Sequence, residues 1–211
     1  MFIEKIKKEL SRTLPGENVQ WEMASSDRRF KDFPRVRQID TTDAAVLVLL
    51  YNTSENPTTL FTRRAIYNGV HSGQISFPGG KKEKEDRDLY DTALRETSEE
   101  TGVDSSRIKI VGRLTPLYIP VSNIEVNPVV GYYEGIPEFN SASREVEKLI
   151  EAPLSHFFKA TAIRKGIFPV RGEELEISYF DFEGEVIWGA TAMIFNEMLA
   201  VLRSAGFPAQ V

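Results

Sequence analysis

Three glutamates, Glu96, Glu99 and Glu100, stand at positions i, i+3 and i+4 of one segment, directly after Arg95. On a helix those offsets place side chains on one face, close enough to share a ligand. Left bare, such neighbours repel one another by roughly a few tenths of a kcal/mol each. A hard divalent cation, Mg²⁺ or Mn²⁺, takes oxygen ligands of this kind and turns the repulsion into coordination. Arg95 stands where it can hold one carboxylate in its coordinating rotamer. Taken alone, the same pattern is what any solvated acidic helix face displays.

The pattern does not stand alone. Upstream, Phe77-Pro78-Gly79-Gly80 gives a rigid turn and then backbone without Cβ atoms. There a carbonyl can reach a metal and amides can reach a phosphate, although a plain tight turn would look similar. Further upstream lie Arg63 and Arg64, then His71 and Gln74 among glycines. A lone histidine beside glycines more often shapes a loop by hydrogen bonding than contacts a ligand.

The acidic cluster must be carried by a helix, which the sequence predicts from Asp86 to Thr101. Asp88 and Asp91 stand near its start, Leu89, Ala93 and Leu94 supply an apolar stripe, and Gly102 sits at the C-terminal cap. Ala44 to Tyr51 is an apolar run of strand length, and Thr59 to Thr62 reads as its neighbour across a Ser-Glu-Asn-Pro-Thr turn. Ile108 to Leu117, Glu125 to Tyr133 and Ser178 to Phe182 also read as strands, and Glu145 to Glu151 leads into Pro153-Leu154. Phe2, Ile3, Ile6, Leu10 and Leu14 predict an amphipathic helix ended by Pro15-Gly16, and Ala190 to Arg203 predicts a final helix. Residues 21 to 40 read as a polar arm. The expectation is an α/β (α+β) fold: an N-terminal helix and arm over residues 1–40, then one mixed α/β domain over 41–211.

Composition narrows the chemistry. The 211 residues include no cysteine, which excludes disulfides, thiolate metal sites and a cysteine nucleophile. With two histidines, His71 and His156, a histidine-rich metal site is not expected. A net charge of −5 argues against a nucleic-acid-binding face but not against a small phosphate ligand, because a bound cation reverses the local sign. The charged start lacks the apolar core of a signal peptide, and no stretch is apolar for long enough to span a bilayer. No membrane partner and a cytoplasmic location are therefore expected.

Gly80 to Val103, GKKEKEDRDLYDTALRETSEETGV, resembles the Nudix box, G-x5-E-x7-R-E-U-x-E-E-x-G-U, where U is aliphatic. Arg95, Glu96, Glu99, Glu100, Gly102 and Val103 match its second half without gaps. The first half is one residue longer, so Glu85 or Asp86 stands for the early glutamate, and Thr97 replaces an aliphatic residue. The longer spacing is similar to that of the coenzyme A pyrophosphatase branch. So are Leu60-Phe61-Thr62-Arg63-Arg64, His71-Ser72-Gly73-Gln74-Ile75-Ser76-Phe77-Pro78-Gly79-Gly80, Pro116 to Ser122, Pro153-Leu154 and Ile187 to Ala192. One departure is Gly69, where that branch often has a basic residue.

The resemblance implies a Nudix-like α/β/α sandwich with a mixed sheet around a central catalytic helix. It also implies metal-dependent hydrolysis of a diphosphate, with coenzyme A as the leading substrate. Glu96 and Glu100 would be the principal metal ligands, with Glu99 assisting and the carbonyl of Gly79 or Gly80 completing the shell. Glu145, with Glu147 second, would be the base, or Glu99 within the box. Arg63, Arg64, His71, Gln74 and Gly79 would meet the substrate. Trp188 is read as a core anchor and His156 as structural or surface. ADP-ribose or NADH is the competing substrate class. A catalytically silent nucleotide-binding domain is the competing function, and the intact carboxylates speak against it. A homodimer is the family's expectation.

Overall fold

The structure, a computed structural model, describes residues 2–26, 36–53, 56–66, 73–140, 143–159, 161–170 and 172–208. Its centre is strand β1 (Thr42–Asn52), which runs parallel to β7 (Ile124–Tyr133) and antiparallel to β2 (Pro57–Arg64) and β4 (Gly79–Lys81). Around these pair β3 (Ile75–Ser76), β5 (Ile108–Arg113), β6 (Leu117–Ile119) and β8 (Val146–Pro153), giving a mixed eight-stranded sheet. β1 has near-continuous apolar character because it is covered on both faces. Ala45, Leu47, Leu49 and Tyr51 pack with Ala93 of helix α3 (Leu89–Thr101), whereas Val48 and Leu50 belong to the opposite core. The period-two alternation of a strand is thus hidden in the sequence by burial on both sides.

The opposite core is built on helix α4 (Gly189–Ser204) and is rich in aromatic rings. Phe195 meets Phe157 at 4.7 Å, Phe61 at 5.2 Å and Phe180 at 5.3 Å between ring centres, mostly edge to face. A second, three-stranded sheet, β9 (Ile163–Val170), β10 (Glu173–Phe182) and β11 (Glu185–Ile187), contributes Phe180, Phe182 and Ile187 to that core. Helices α1 (Phe2–Leu10) and α2 (Glu17–Gln20) close it through Ile6 and Leu10, with Met23 beyond them. The buried carboxylate of Glu197 ties this N-terminal segment down. It accepts from Gly16 N at 3.0 Å, Gln20 Nε2 at 2.9 Å and Thr115 Oγ1 at 2.6 Å. A buried charge is tolerated there because donors surround it.

Several boundaries differ from the sequence reading. The first helix ends at Leu10, and the central helix starts at Leu89 rather than Asp86, because the Asp88 carboxylate accepts from the amides of Tyr90 and Asp91 as an N-cap. The strand expected over 108–117 is two: its register shifts between Ile110 and Gly112, and β6 begins only at Leu117. The second sheet extends well beyond Ser178–Phe182. β9 has no buried residue and so leaves no apolar alternation to read.

Candidate active site

Gly79 and Gly80 lie on β4, between β1 and α3, where there is no room for side chains. At Gly79, with φ 155°, a Cβ would run into the Ala45 carbonyl and the Val46 backbone; at Gly80 it would overlap the Glu96 carboxylate. The missing atoms let the helix carboxylates rest on the strand backbone, and Gly79 N donates to Glu100 Oε2 at 3.2 Å. Glu100 is only 5 % exposed. Burial pushes its carboxyl up to about 7, against the pull of the Gly79 amide and Arg64, with Glu96 and Glu145 adding to the rise. Glu96 is raised as well, chiefly by burial, against Arg95 and with help from Glu99 and Glu145.

Arg95 organises the other side. Its Nε and Nη2 donate to the two oxygens of Asp86, each at 2.9 Å, and Nη1 reaches Glu96 Oε1 at 2.9 Å and Glu99 Oε2 at 3.3 Å. Asp86 is buried and also accepts from Thr92 Oγ1 and Glu83 N, whereas Glu85 is exposed. Of the two candidates for the early acidic position, the arginine is met by Asp86. The hydrogen bonds from Arg95 hold the Asp86 carboxyl far below the usual carboxylate range. Thr97, the polar departure in the box, is buried and donates Oγ1 to the Ala93 carbonyl at 2.6 Å, so its hydroxyl costs the helix little.

From β2, Arg64 reaches towards Glu100 Oε1 at 3.8 Å and donates to Glu145 Oε2 at 3.3 Å. Arg63 points to the other face. It pairs with Glu185 of β11 and stands 3.9 Å from Glu147, so it is not part of the same cleft. Glu145 lines the cleft with a side chain 70 % exposed, and Glu147 does not line it.

The cleft is a cavity of about 620 Å³. Its lining combines the charged Arg64, Arg95, Glu96, Glu99 and Glu145 and the backbone of Gly79 and Gly80 with the apolar Ile119, Val121, Val170, Leu175, Trp188 and Met193. Gln74 also lines it. Trp188 is half-buried at this wall, immediately before α4, rather than deep in the core. His156 is far from this chemistry in role: its Nε2 meets the Asp181 carbonyl at 2.8 Å, and its ring packs on Phe157 and Phe182. His71, like Gly69, lies outside the described residues.

Among the described residues, no three carboxylate or imidazole groups already enclose a space the size of an ion, partly because Arg95 stands against Glu96 and Glu99. The donor set nevertheless suits a hard divalent ion. Glu99 and Glu145 add to the raised proton affinity of Glu96, and Glu96 and Glu145 to that of Glu100; all four are oxygen donors, and the Gly79-Gly80 backbone lies against the helix carboxylates. The apolar lining and Glu185 were missed in the sequence. The apolar residues come from β6, β9, β10 and α4, and no local spacing links them.

The comparisons agree with this architecture. Residues 41–147 match the NUDIX domain family. The chain is 30% identical over 165 residues to NudL of Photorhabdus laumondii, a Nudix hydrolase itself uncharacterized, covering 78% of this chain and 88% of that protein. It is 36% identical over 161 residues to the NudL of Yersinia pestis, covering 74% and 77%. The chain therefore belongs to the Nudix hydrolases, enzymes that generally use divalent metal ions. Two solved structures share the fold. A Nudix hydrolase from M. smegmatis, RenU, superposes with a TM-score of 0.52 at 11% identity over 77% of this chain and 87% of that one. A MutT/nudix family protein from Enterococcus faecalis gives 0.52 at 16% identity over 96% and 79%. No described helix is long and apolar enough to cross a membrane.

Proposed function

We propose that this hydrolase cleaves the diphosphate of coenzyme A or its derivatives, giving 3′,5′-ADP and 4′-phosphopantetheine. The observation that carries the reading is the mixed lining of the cleft, in which carboxylates and arginines share one cavity with a set of apolar side chains. A diphosphate joined to a long, weakly polar arm matches that combination. Arg64, Gln74 and Gly79, which belong to stretches similar to the coenzyme A branch, line the same cleft.

In this reading Glu96 and Glu100 would hold Mg²⁺ or Mn²⁺, with Glu99 and the carbonyl of Gly79 or Gly80 as further oxygen donors. Such an ion, when bound, would polarise a phosphoryl oxygen and make a water more acidic. Arg95 keeps Glu96 in place from behind. Glu145 takes the proton of the water that attacks phosphorus, as the P–O–P bridge opens. Arg64 steadies charge on the departing phosphate. Gln74 and the Gly79 backbone orient the substrate. Arg63 is left out of this assignment because Glu185 engages it.

The test is product analysis by mass after incubation with Mg²⁺ or Mn²⁺ and coenzyme A, acetyl-coenzyme A, ADP-ribose, NADH or nucleoside triphosphates, with Glu100→Gln in parallel. Metal-dependent 3′,5′-ADP from coenzyme A, lost in the variant, is expected. Turnover of ADP-ribose or NADH instead would overturn the substrate, and no turnover of any compound would favour a silent nucleotide-binding domain.

A further inference from the structure

In a regular strand Glu145 and Glu147, two residues apart, would share one face. Here they serve opposite faces: Glu145 meets Arg64 at the cleft, and Glu147 stands by Arg63 on the outside. Glu145 lies in the turn before β8, which starts at Val146, and a bulge in the β2–β8 ladder takes Glu147 out of register with Arg64. Arg63 faces Lys148, the next pair is Arg64 with Val146, and Glu147 is the extra residue. Ala65 N then donates to the Glu145 carbonyl at 2.7 Å. Without the bulge Arg64 would face Glu147, and Glu145 would fall one position further along. Bulges are used in this way beside active sites, to re-aim a side chain.

One residue from the second sheet grips this bulge. The carboxylate of Glu185, only 6 % exposed, accepts from Arg63 through Oε2 and from Lys148 Nζ at 3.0 Å through Oε1. Arg63 and Lys148 are the last pair in register before the bulge. We propose that Glu185 is a positioning residue for the hydrolytic reaction: by clamping Arg63 and Lys148 it fixes the β2–β8 bulge and thereby holds Glu145 and Arg64 in the cleft. The inference rests on the proposed reading of Glu145 and assigns a task to a residue that touches no substrate. It also gives Arg63 a role, as part of the clamp rather than as a substrate ligand.

The experiment is a double-mutant cycle on the full chain with coenzyme A and Mg²⁺, measuring kcat and KM for the wild type, Glu145→Gln, Glu185→Gln and the pair. Glu145→Gln is expected to lower kcat about a hundredfold and Glu185→Gln about tenfold, with KM within about twofold. If Glu185 acts through Glu145, the double variant falls no lower than Glu145→Gln alone. Losses that multiply would overturn the proposal, as would a Glu185→Gln enzyme with unchanged kcat. Asp181→Asn, which breaks the Arg164–Asp181 pair elsewhere in the second sheet, is the control for mere loosening and should leave kcat unchanged. An equal loss there would reduce Glu185 to a general stabiliser. A wild type active on coenzyme A but indifferent to Glu145→Gln would instead sink the assignment of the base.

Discussion

The charged and the apolar parts of the cleft lining are built on different principles. In the charged part each group is fixed by others: Arg95 is held by Asp86, Glu96 by Arg95, Glu100 by the Gly79 amide, and Arg64 lies between Glu100 and Glu145. In the apolar part Ile119, Val121, Val170, Leu175 and Trp188 offer surface without directional bonds. Directional bonds set the geometry of the charged groups, whereas apolar contact tolerates a range of shapes. Changes in the first part should therefore act on kcat, and changes in the second on KM and on the choice of substrate.

The largest effect is expected at Glu96. Glu96→Gln is expected to lower kcat on the order of 10³-fold with a native circular dichroism spectrum; an active variant would remove the carboxylates from the chemistry. Gly80→Ala comes next. The added methyl displaces the Glu96 carboxylate, with roughly a hundredfold loss of kcat/KM in steady-state assays.

Asp86→Asn should cost about 3 kcal/mol in urea unfolding, because it leaves Arg95 without its buried partner. Its pH dependence has a definite sign. The folded carboxyl titrates far below its unfolded value near 3.9, so the stabilisation is complete above that value and fades as pH falls below it. The gap between wild type and variant should therefore be constant from about pH 7 to pH 5 and shrink at lower pH.

In the apolar part, Leu175→Asn should raise KM about tenfold for substrates with a long apolar arm while changing kcat little. Equal effects on a short-armed substrate would show that the wall plays no part in selection. The smallest effect is expected for Thr97→Val, within about 1 kcal/mol of wild-type stability and with unchanged kcat, because the hydroxyl bonds only its own helix.

The charged part was largely legible in the residue order because it is local: Gly79, Gly80, Asp86, Arg95, Glu96 and Glu100 lie within one turn and one helix. Helical spacing fixes which side chains share a face, and the glycines advertise a close approach. Even here, whether Glu85 or Asp86 meets Arg95 required the cap at Asp88, which sets where the helix begins. The resemblance puts both Arg63 and Arg64 at the substrate, with Arg64 at the departing phosphate; the strand sends them to opposite faces, and of the two Arg64 lines the cleft. Trp188 read as a core anchor because a tryptophan before a helix carries no mark of the wall that it faces.

The family, the carboxylate helix and the glycine turn beneath it are legible in residue order, since each depends on spacings of a few residues and on backbone sterics. Strand pairing and sheet packing settle which arginine enters the cleft, how a bulge takes Glu147 out of register with Arg64, and how β6, β9, β10 and α4 bring apolar residues from distant segments into one lining. Those outcomes depend on strand register and on the packing of two sheets, which are properties of residue pairs far apart in the chain and therefore leave no local pattern to read.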